Sequence, residues 1–187
     1  AMVKRSRGVA DAMSKGIQFL FKKNKIETIA GFGKLAGQGK VEVTDDAGNK
    51  TLLSSKHIIL ATGARTRQLP NLPLDYVKVF GYRKAMTLPK QPKSMVVVGS
   101  GAIGSEFAYF YQSIGTQVTL VEFLPNIVPL EDEEVSKQLE RSFKKMGMKV
   151  LTNSTVEKAD TSGDLCKVTI KTKKGEVMVD AEVVLSA

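Results

Sequence analysis

Gly99, Gly101 and Gly104 stand in the spacing G-x-G-x-x-G, with Ser100, Ala102 and Ile103 between them. The apolar run Met95-Val96-Val97-Val98 leads directly into this segment, and a helix-forming stretch follows it. A second apolar run ends in Glu122, eighteen residues beyond Gly104. Residues of these types in a strand–turn–helix–strand order suit the binding of a dinucleotide. Gly99 permits the tight turn out of the strand. Gly101, having no Cβ, lets a pyrophosphate approach the backbone, and Gly104 lets the helix lie close to the strand. The unpaired N–H groups and positive dipole end of the helix favour phosphate. Glu122 is placed to accept from the hydroxyls of an adenosine ribose. A 2′-phosphate there would meet a carboxylate, and no Arg or Lys stands at positions 123–128 to compensate. The expected cofactor is therefore NAD rather than NADP.

A weaker signal is the run Ile58-Ile59-Leu60-Ala61-Thr62-Gly63, in which an apolar strand leads into small residues that admit a ligand close to the backbone. Other chemistry is sparse. Cys166 is the single cysteine and His57 the single histidine, so neither a disulfide framework nor a thiol pair is available within these residues. No metal-ligand spacing occurs, and no residue is assigned a catalytic role.

The elements that must position these groups follow from periodicity. Val9, Met13, Ile17, Leu20 and Phe21 recur at helical spacing and predict an amphipathic helix over residues 7–24. Short strands are expected at 28–32, 40–44, 51–53 and 57–61, with a hairpin turn at Asp45-Asp46-Ala47-Gly48-Asn49. The proline-punctuated stretch 88–93 reads as a linker. Beyond it come a strand at 94–98, a helix at 102–114, a strand at 117–122, a helix opening at Asp132-Glu133-Glu134, and a strand at 149–151. Alternating runs at 156–159, 166–171 and 176–179 predict an antiparallel meander. The last residues, Glu182 to Ala187, form an apolar strand with no turn or polar tail after it, which reads as a piece of a longer protein.

Composition agrees with a folded chain. Of 187 residues, 42% are hydrophobic and 25% charged, which excludes a disordered chain, and no apolar run reaches the ~20 residues of a membrane span. A cytoplasmic location is expected. The net charge of +9 divides unevenly, +12 over residues 1–93 and −3 over 94–187. The basic part lacks interleaved aromatics or any nucleic-acid motif, so neither a nucleic-acid nor a membrane partner is expected.

Further segments fill in this pattern: Val3-Lys4-Arg5-Ser6-Arg7-Gly8-Val9-Ala10 before a helix, Gly31-Phe32-Gly33-Lys34 before a hairpin, Ala61-Thr62-Gly63 some 35 residues ahead of the glycine motif, and Ala102-Ile103-Gly104-Ser105-Glu106 within it. With Pro89 to Met95 and Asp132-Glu133-Glu134-Val135, they make a chain that resembles the FAD-dependent pyridine nucleotide–disulfide oxidoreductases, in particular their dihydrolipoamide dehydrogenase branch. The resemblance spans essentially the whole chain. It implies an α/β fold: a Rossmann-like NAD-binding domain in three layers, parallel sheet plus antiparallel meander, over residues 94–187, joined to an incomplete FAD-binding domain over 1–93. It places Gly99 to Glu106 along the NAD pyrophosphate, with Ser105 in that run, Glu122 on the ribose and Val156 beside the adenine. Glu106 would also lie near the face where nicotinamide meets flavin. On the flavin side, Gly33 and Ala61-Thr62-Gly63 would touch FAD.

The same resemblance implies a parent enzyme that passes dithiol electrons through FAD to NAD, a homodimer associated with a 2-oxoacid dehydrogenase complex. Its redox cysteines, first flavin motif and interface domain would lie outside these residues. The chain alone is then expected to bind NAD at most, without catalysis and without retaining FAD, and to self-associate. Two alternatives stay open: a piece of another disulfide reductase or NADH oxidase-type flavoprotein, and a free-standing NAD-binding module without redox chemistry.

Overall fold

The computed structural model describes residues 1–187 and divides into two compact units, Ala1–Ala64 and Arg65–Ala187. The first contains helix α1 (Met2–Lys23) and strands β1 (Phe32–Leu35), β2 (Lys40–Thr44) and β3 (Lys50–Ser54). Lys22 and Lys23 end α1 where its dipole favours cations, yet no side chain of the helix is buried. Val9, Met13, Ile17, Leu20 and Phe21 are all exposed. The three strands form an antiparallel sheet in the order β1-β2-β3. Asp45 shapes the β2–β3 turn: its Oδ1 accepts from the backbone N–H groups of Ala47 and Asn49, and its Oδ2 from Asn49 Nδ2.

Two expected strands of this unit differ. The strand expected at 28–32 starts only at Phe32, because Phe32–Leu35 is the segment in register with Val41–Thr44. The run at 57–61, which includes His57 at its start, is no strand. Both sides of β2 are already taken by β1 and β3, and no other sheet in this unit offers Ile58–Ala61 a partner. Ile59 is 91% exposed. With no neighbouring strand to take its backbone hydrogen bonds and no layer over its faces, an apolar parallel-type strand has nothing to stabilise it.

The second unit is built on a parallel sheet. Its elements are β4 (Val79–Phe80), α2 (Tyr82–Ala85), β5 (Ser94–Val98), α3 (Ala102–Ser113), β6 (Gln117–Val121), α4 (Glu133–Lys145), β7 (Lys149–Leu151), β8 (Thr155–Asp160), β9 (Cys166–Thr172), β10 (Gly175–Ala181) and β11 (Val183–Ser186). The order is β4-β11-β5-β6-β7, every pair parallel. The closing run of the sequence is thus an interior strand, paired with β4 on one side and β5 on the other. Strands β8, β9 and β10 form the expected antiparallel meander.

Side-chain alternation creates three layers. Met95, Val97, Val118, Leu120, Phe80 and Leu185 face a core shared with Ala108 and Tyr111 of α3 and Phe143 of α4. Their neighbours Val96, Val121, Val79 and Val184 face the opposite core, closed by Val156, Cys166, Val168 and Ile170 of the meander. Burial on both faces explains why β5 and β6 read as continuous apolar runs. The ends of α4 follow the sequence closely: Asp132 caps it by accepting from Glu134 N at 2.8 Å, with Glu133 and Glu134 in the first turn and Lys144 and Lys145 in the last.

The compact units part well before the boundary expected at Lys93–Ser94. The physical reason lies in residues 65–93. Val79 and Phe80 add a strand beside β11, and Leu72, Phe80 and Ala85 are buried in the cores of the second unit. The expected linker 88–93 is likewise tied down: Thr116 Oγ1 donates to the Pro92 carbonyl, and Gln117 N to that of Lys93.

Asp75 fixes the approach to β4. Its Oδ1 accepts from the backbone N–H groups of Val77, Lys78 and Val79, each at 2.8 Å. Partial burial works to raise its pKa, but these three N–H groups and the charge of Lys78 outweigh it, so the carboxyl lies below its ordinary value. Its stabilising contribution is therefore complete above the unfolded-chain value of about 3.9 and is lost as pH falls through the lower folded value. Asp75→Ala should cost about 1–2 kcal/mol at neutral pH, below the full scale of hydrogen bonds to a charged group because the carboxylate is exposed to water. In urea titrations the difference from wild type should shrink toward acid pH.

Candidate functional site

The turn between β5 and α3 is held from several directions. Gly99 has φ +98°, and its N–H donates to the Val121 carbonyl at 2.9 Å. A Cβ at Gly99 would meet the Ala187 carbonyl oxygen at 2.5 Å. Gly104 is tighter still: a Cβ there would lie 2.0 Å from the Gly99 carbonyl oxygen. The first turn of α3 therefore sits directly on the loop that precedes it. Gly101, the N-cap, differs from both. Nothing lies within 4 Å of where its Cβ would be, and no side chain caps the helix. The opening N–H groups of α3 at Ala102 and Ile103 have no carbonyl of their own helix to bond. This is an anion-receptive cradle of the kind a pyrophosphate fits.

Glu122 follows the last residue of β6. It is 4% exposed and is the one charged residue among the buried side chains. Its carboxylate is nevertheless well satisfied. Oε2 accepts from Ser100 N at 2.9 Å and Ser100 Oγ at 2.7 Å, and Oε1 accepts from Leu124 N at 2.9 Å. The backbone of Glu122 is bonded as well, its N–H to Leu151 O and its carbonyl from Ser154 N. The carbonyl of Ser100 accepts from Val128 N and from Ser105 Oγ. Glu122, Ser100 and Ser105 thus form a single buried network binding the strand ends to the loop.

Beside the turn lies a cleft of about 380 Å³ at the C-terminal ends of β5, β6 and β11, where open parallel sheets hold ligands. Gly99, Phe123 and Val156 line it, together with Arg67 and Asn71. Val156 is almost fully buried, whereas Phe123 is 69% exposed. The Asn71 side-chain amide donates to the Val156 carbonyl and fixes that wall.

The structure brings Gly99, Ser100, Gly101, Ala102, Ile103, Gly104 and Ser105 into one loop and helix start, with Glu122 against it and Val156 across the adjoining cleft. Glu106 projects from the next part of α3 and is exposed. The flavin-side candidates belong to the other unit. Gly33 pairs with Val43 in the β1–β2 ladder, while Ala61, Thr62 and Gly63 are exposed and lie in no helix or strand. Cys166 is buried on β9, where burial pushes its thiol pKa up, the reverse of an activated thiolate. Arg67 and Asn71 were not among the expected site residues, and Ser100, expected along the pyrophosphate, was not expected to hold Glu122 through its hydroxyl. The first two arrive through the crossing of residues 65–80 beneath the meander, which no local pattern records. Ser100 stood inside the motif, but at a position where any residue is allowed.

A family model described as pyridine nucleotide-disulphide oxidoreductase matches residues 2–187. The dihydrolipoyl dehydrogenase of Zymomonas mobilis is 44% identical over 156 residues, covering 83% of this chain and 34% of that protein. The mitochondrial dihydrolipoyl dehydrogenase of Pisum sativum is 38% identical over 187 residues, covering 99% of this chain and 37% of that protein. Among solved structures, LpdA from Mycobacterium tuberculosis superimposes with a TM-score of 0.85 at 26% identity, covering 98% of this chain and 40% of its own. The chain therefore spans little more than a third of the length of the curated relatives it matches.

The two inner glycines should respond differently to a methyl group. Gly104→Ala forces a Cβ onto a backbone oxygen that cannot yield alone, and should destabilise the fold by about 1–3 kcal/mol. Gly101→Ala, at φ −62° and facing open space, should unfold with the wild type. Thermal melts followed by circular dichroism compare them directly.

Proposed function

Because the chain belongs to the pyridine nucleotide-disulphide oxidoreductase family, we propose that it is the central part of a dihydrolipoyl dehydrogenase-type flavoenzyme and that its second unit binds NAD. The observation that carries this reading is the pairing of an open, uncapped cradle at Gly101–Ile103 with the buried carboxylate of Glu122. The residues fit the cofactor: the empty space beside Gly101 is where a pyrophosphate requires the absence of a Cβ.

In this reading the N–H groups opening α3 hold the pyrophosphate, and the helix dipole offsets its charge. Glu122 accepts from the adenosine ribose, and the wall at Val156 gives the adenine an apolar face. Glu106, exposed on α3, borders the nicotinamide. When bound, NAD supplies the hydride acceptor of the parent enzyme, and FAD the carrier between dithiol and nicotinamide. Gly33 and Ala61-Thr62-Gly63 are assigned to the FAD side of the parent protein. The division into a flavin part over 1–93 and an NAD part over 94–187 is retained for the parent, with 65–93 bridging to the NAD sheet.

On their own these 187 residues hold one buried cysteine and no dithiol, so the chain should not turn over dihydrolipoamide. The association of the parent as a homodimer within a 2-oxoacid dehydrogenase complex is part of the same proposal. No helix is long and apolar enough to cross a membrane.

Titration of the purified chain followed by NADH fluorescence tests the reading, with no Trp in the sequence to interfere. NADH should saturate the site at a concentration at least about tenfold below NADPH, since a 2′-phosphate would face the Glu122 carboxylate. Equal affinity would remove Glu122 from the selectivity argument, and absence of binding would count against a dinucleotide site in this chain.

A further inference from the structure

The hydroxyl of Ser100 occupies part of the acceptor that an adenosine ribose needs. A carboxylate offers about four lone-pair sites. At Glu122 three are filled, by Ser100 N, Ser100 Oγ and Leu124 N. A ribose presents two hydroxyl donors, one more than the remaining capacity. Two of the three resident donors are backbone N–H groups, Ser100 N in the glycine turn and Leu124 N in the loop after β6. The Ser100 hydroxyl alone can rotate away.

We propose that Ser100 is an affinity- and specificity-determining residue of the dinucleotide site: its hydroxyl competes with the adenosine ribose for Glu122 and must release it before both ribose hydroxyls can bind. This rests on the NAD-binding reading above and goes beyond it in assigning a role to the variable position of the glycine motif. In the free protein the Ser100 bond keeps the buried carboxylate satisfied, which lowers the free energy of the empty site. Binding then has to offset the loss of that bond. The loop itself does not depend on the hydroxyl. Gly99 N to Val121 O, Ser100 N to Glu122, Val128 N to Ser100 O and Ser105 Oγ to Ser100 O all remain when it is removed.

The test is a fluorescence titration of wild type, Ser100→Ala and Ser100→Gly with NADH and with its analogue lacking the adenosine 2′-hydroxyl. Circular dichroism melts establish that the variants are folded. Both variants should bind NADH about three- to tenfold more tightly than wild type, the scale of one ordinary net hydrogen bond. Neither should gain on the 2′-deoxy analogue, whose single ribose hydroxyl fits the remaining lone pair. Unchanged or weakened NADH binding in both folded variants would overturn the proposal, as would equal gains on the two ligands. A wild type that binds neither ligand would remove the dinucleotide reading itself, and the competition with it. Binding by wild type with no gain in the variants would leave that reading intact while overturning the role of Ser100.

Discussion

The second unit turns on one buried charge. An ionised carboxylate removed from water costs several kcal/mol unless its lone pairs find donors. Glu122 has no ion-pair partner, so the donors come from the glycine turn and from its own following loop. This adds to the bonds from Gly99 N to Val121 O and from Val128 N to Ser100 O in coupling the two strand ends. It also puts a carboxylate beside the glycine turn that leads into the positive end of the α3 dipole. A ligand with one anionic group and one hydroxylated group suits such a pair. A ligand with phosphate at both places does not.

The rest of the unit makes that placement possible. Strands β5 and β6 are buried on both faces, so their register is fixed by two cores at once. Their C-terminal ends therefore bring Gly99 and Glu122 to the same level. The close contact of Gly104 with the Gly99 carbonyl then sets the start of α3 at one distance from the turn. Val128, a β-branched residue at φ +40°, bends the following segment so that its N–H reaches the Ser100 carbonyl. Such a backbone conformation is costly for valine and persists where the surroundings hold it.

Much of this was legible in the sequence because the signals were local. The strand, glycine turn, helix and acidic residue of the βαβ segment lie within thirty positions, and each has a composition that allows few alternatives. The cap and charge pattern of α4 is equally local. What escaped was set by topology. Val79–Phe80 is only two residues long and gains its strand character from β11, more than a hundred positions later. The same crossing carries Arg67 and Asn71 to the cleft and puts residues 65–93 in the second compact unit. Conversely, Ile58–Ala61 has strand composition, and its own unit gives it no partner. Local pattern identifies an apolar strand but not whether a sheet is there to receive it. The Ser100 hydroxyl illustrates a finer limit, since the motif defines that position only as variable.

In the proposed function the glycine turn and Glu122 form one ligand site. Amide nitrogen–proton NMR of the full chain, recorded with and without NADH, tests it most directly. The resonances of Ser100, Gly101, Ala102, Ile103 and Leu124 should shift together on titration, while those of the β9–β10 turn at Lys173 and Lys174 stay in place. Shifts confined to other surfaces, with the turn unperturbed, would contradict it.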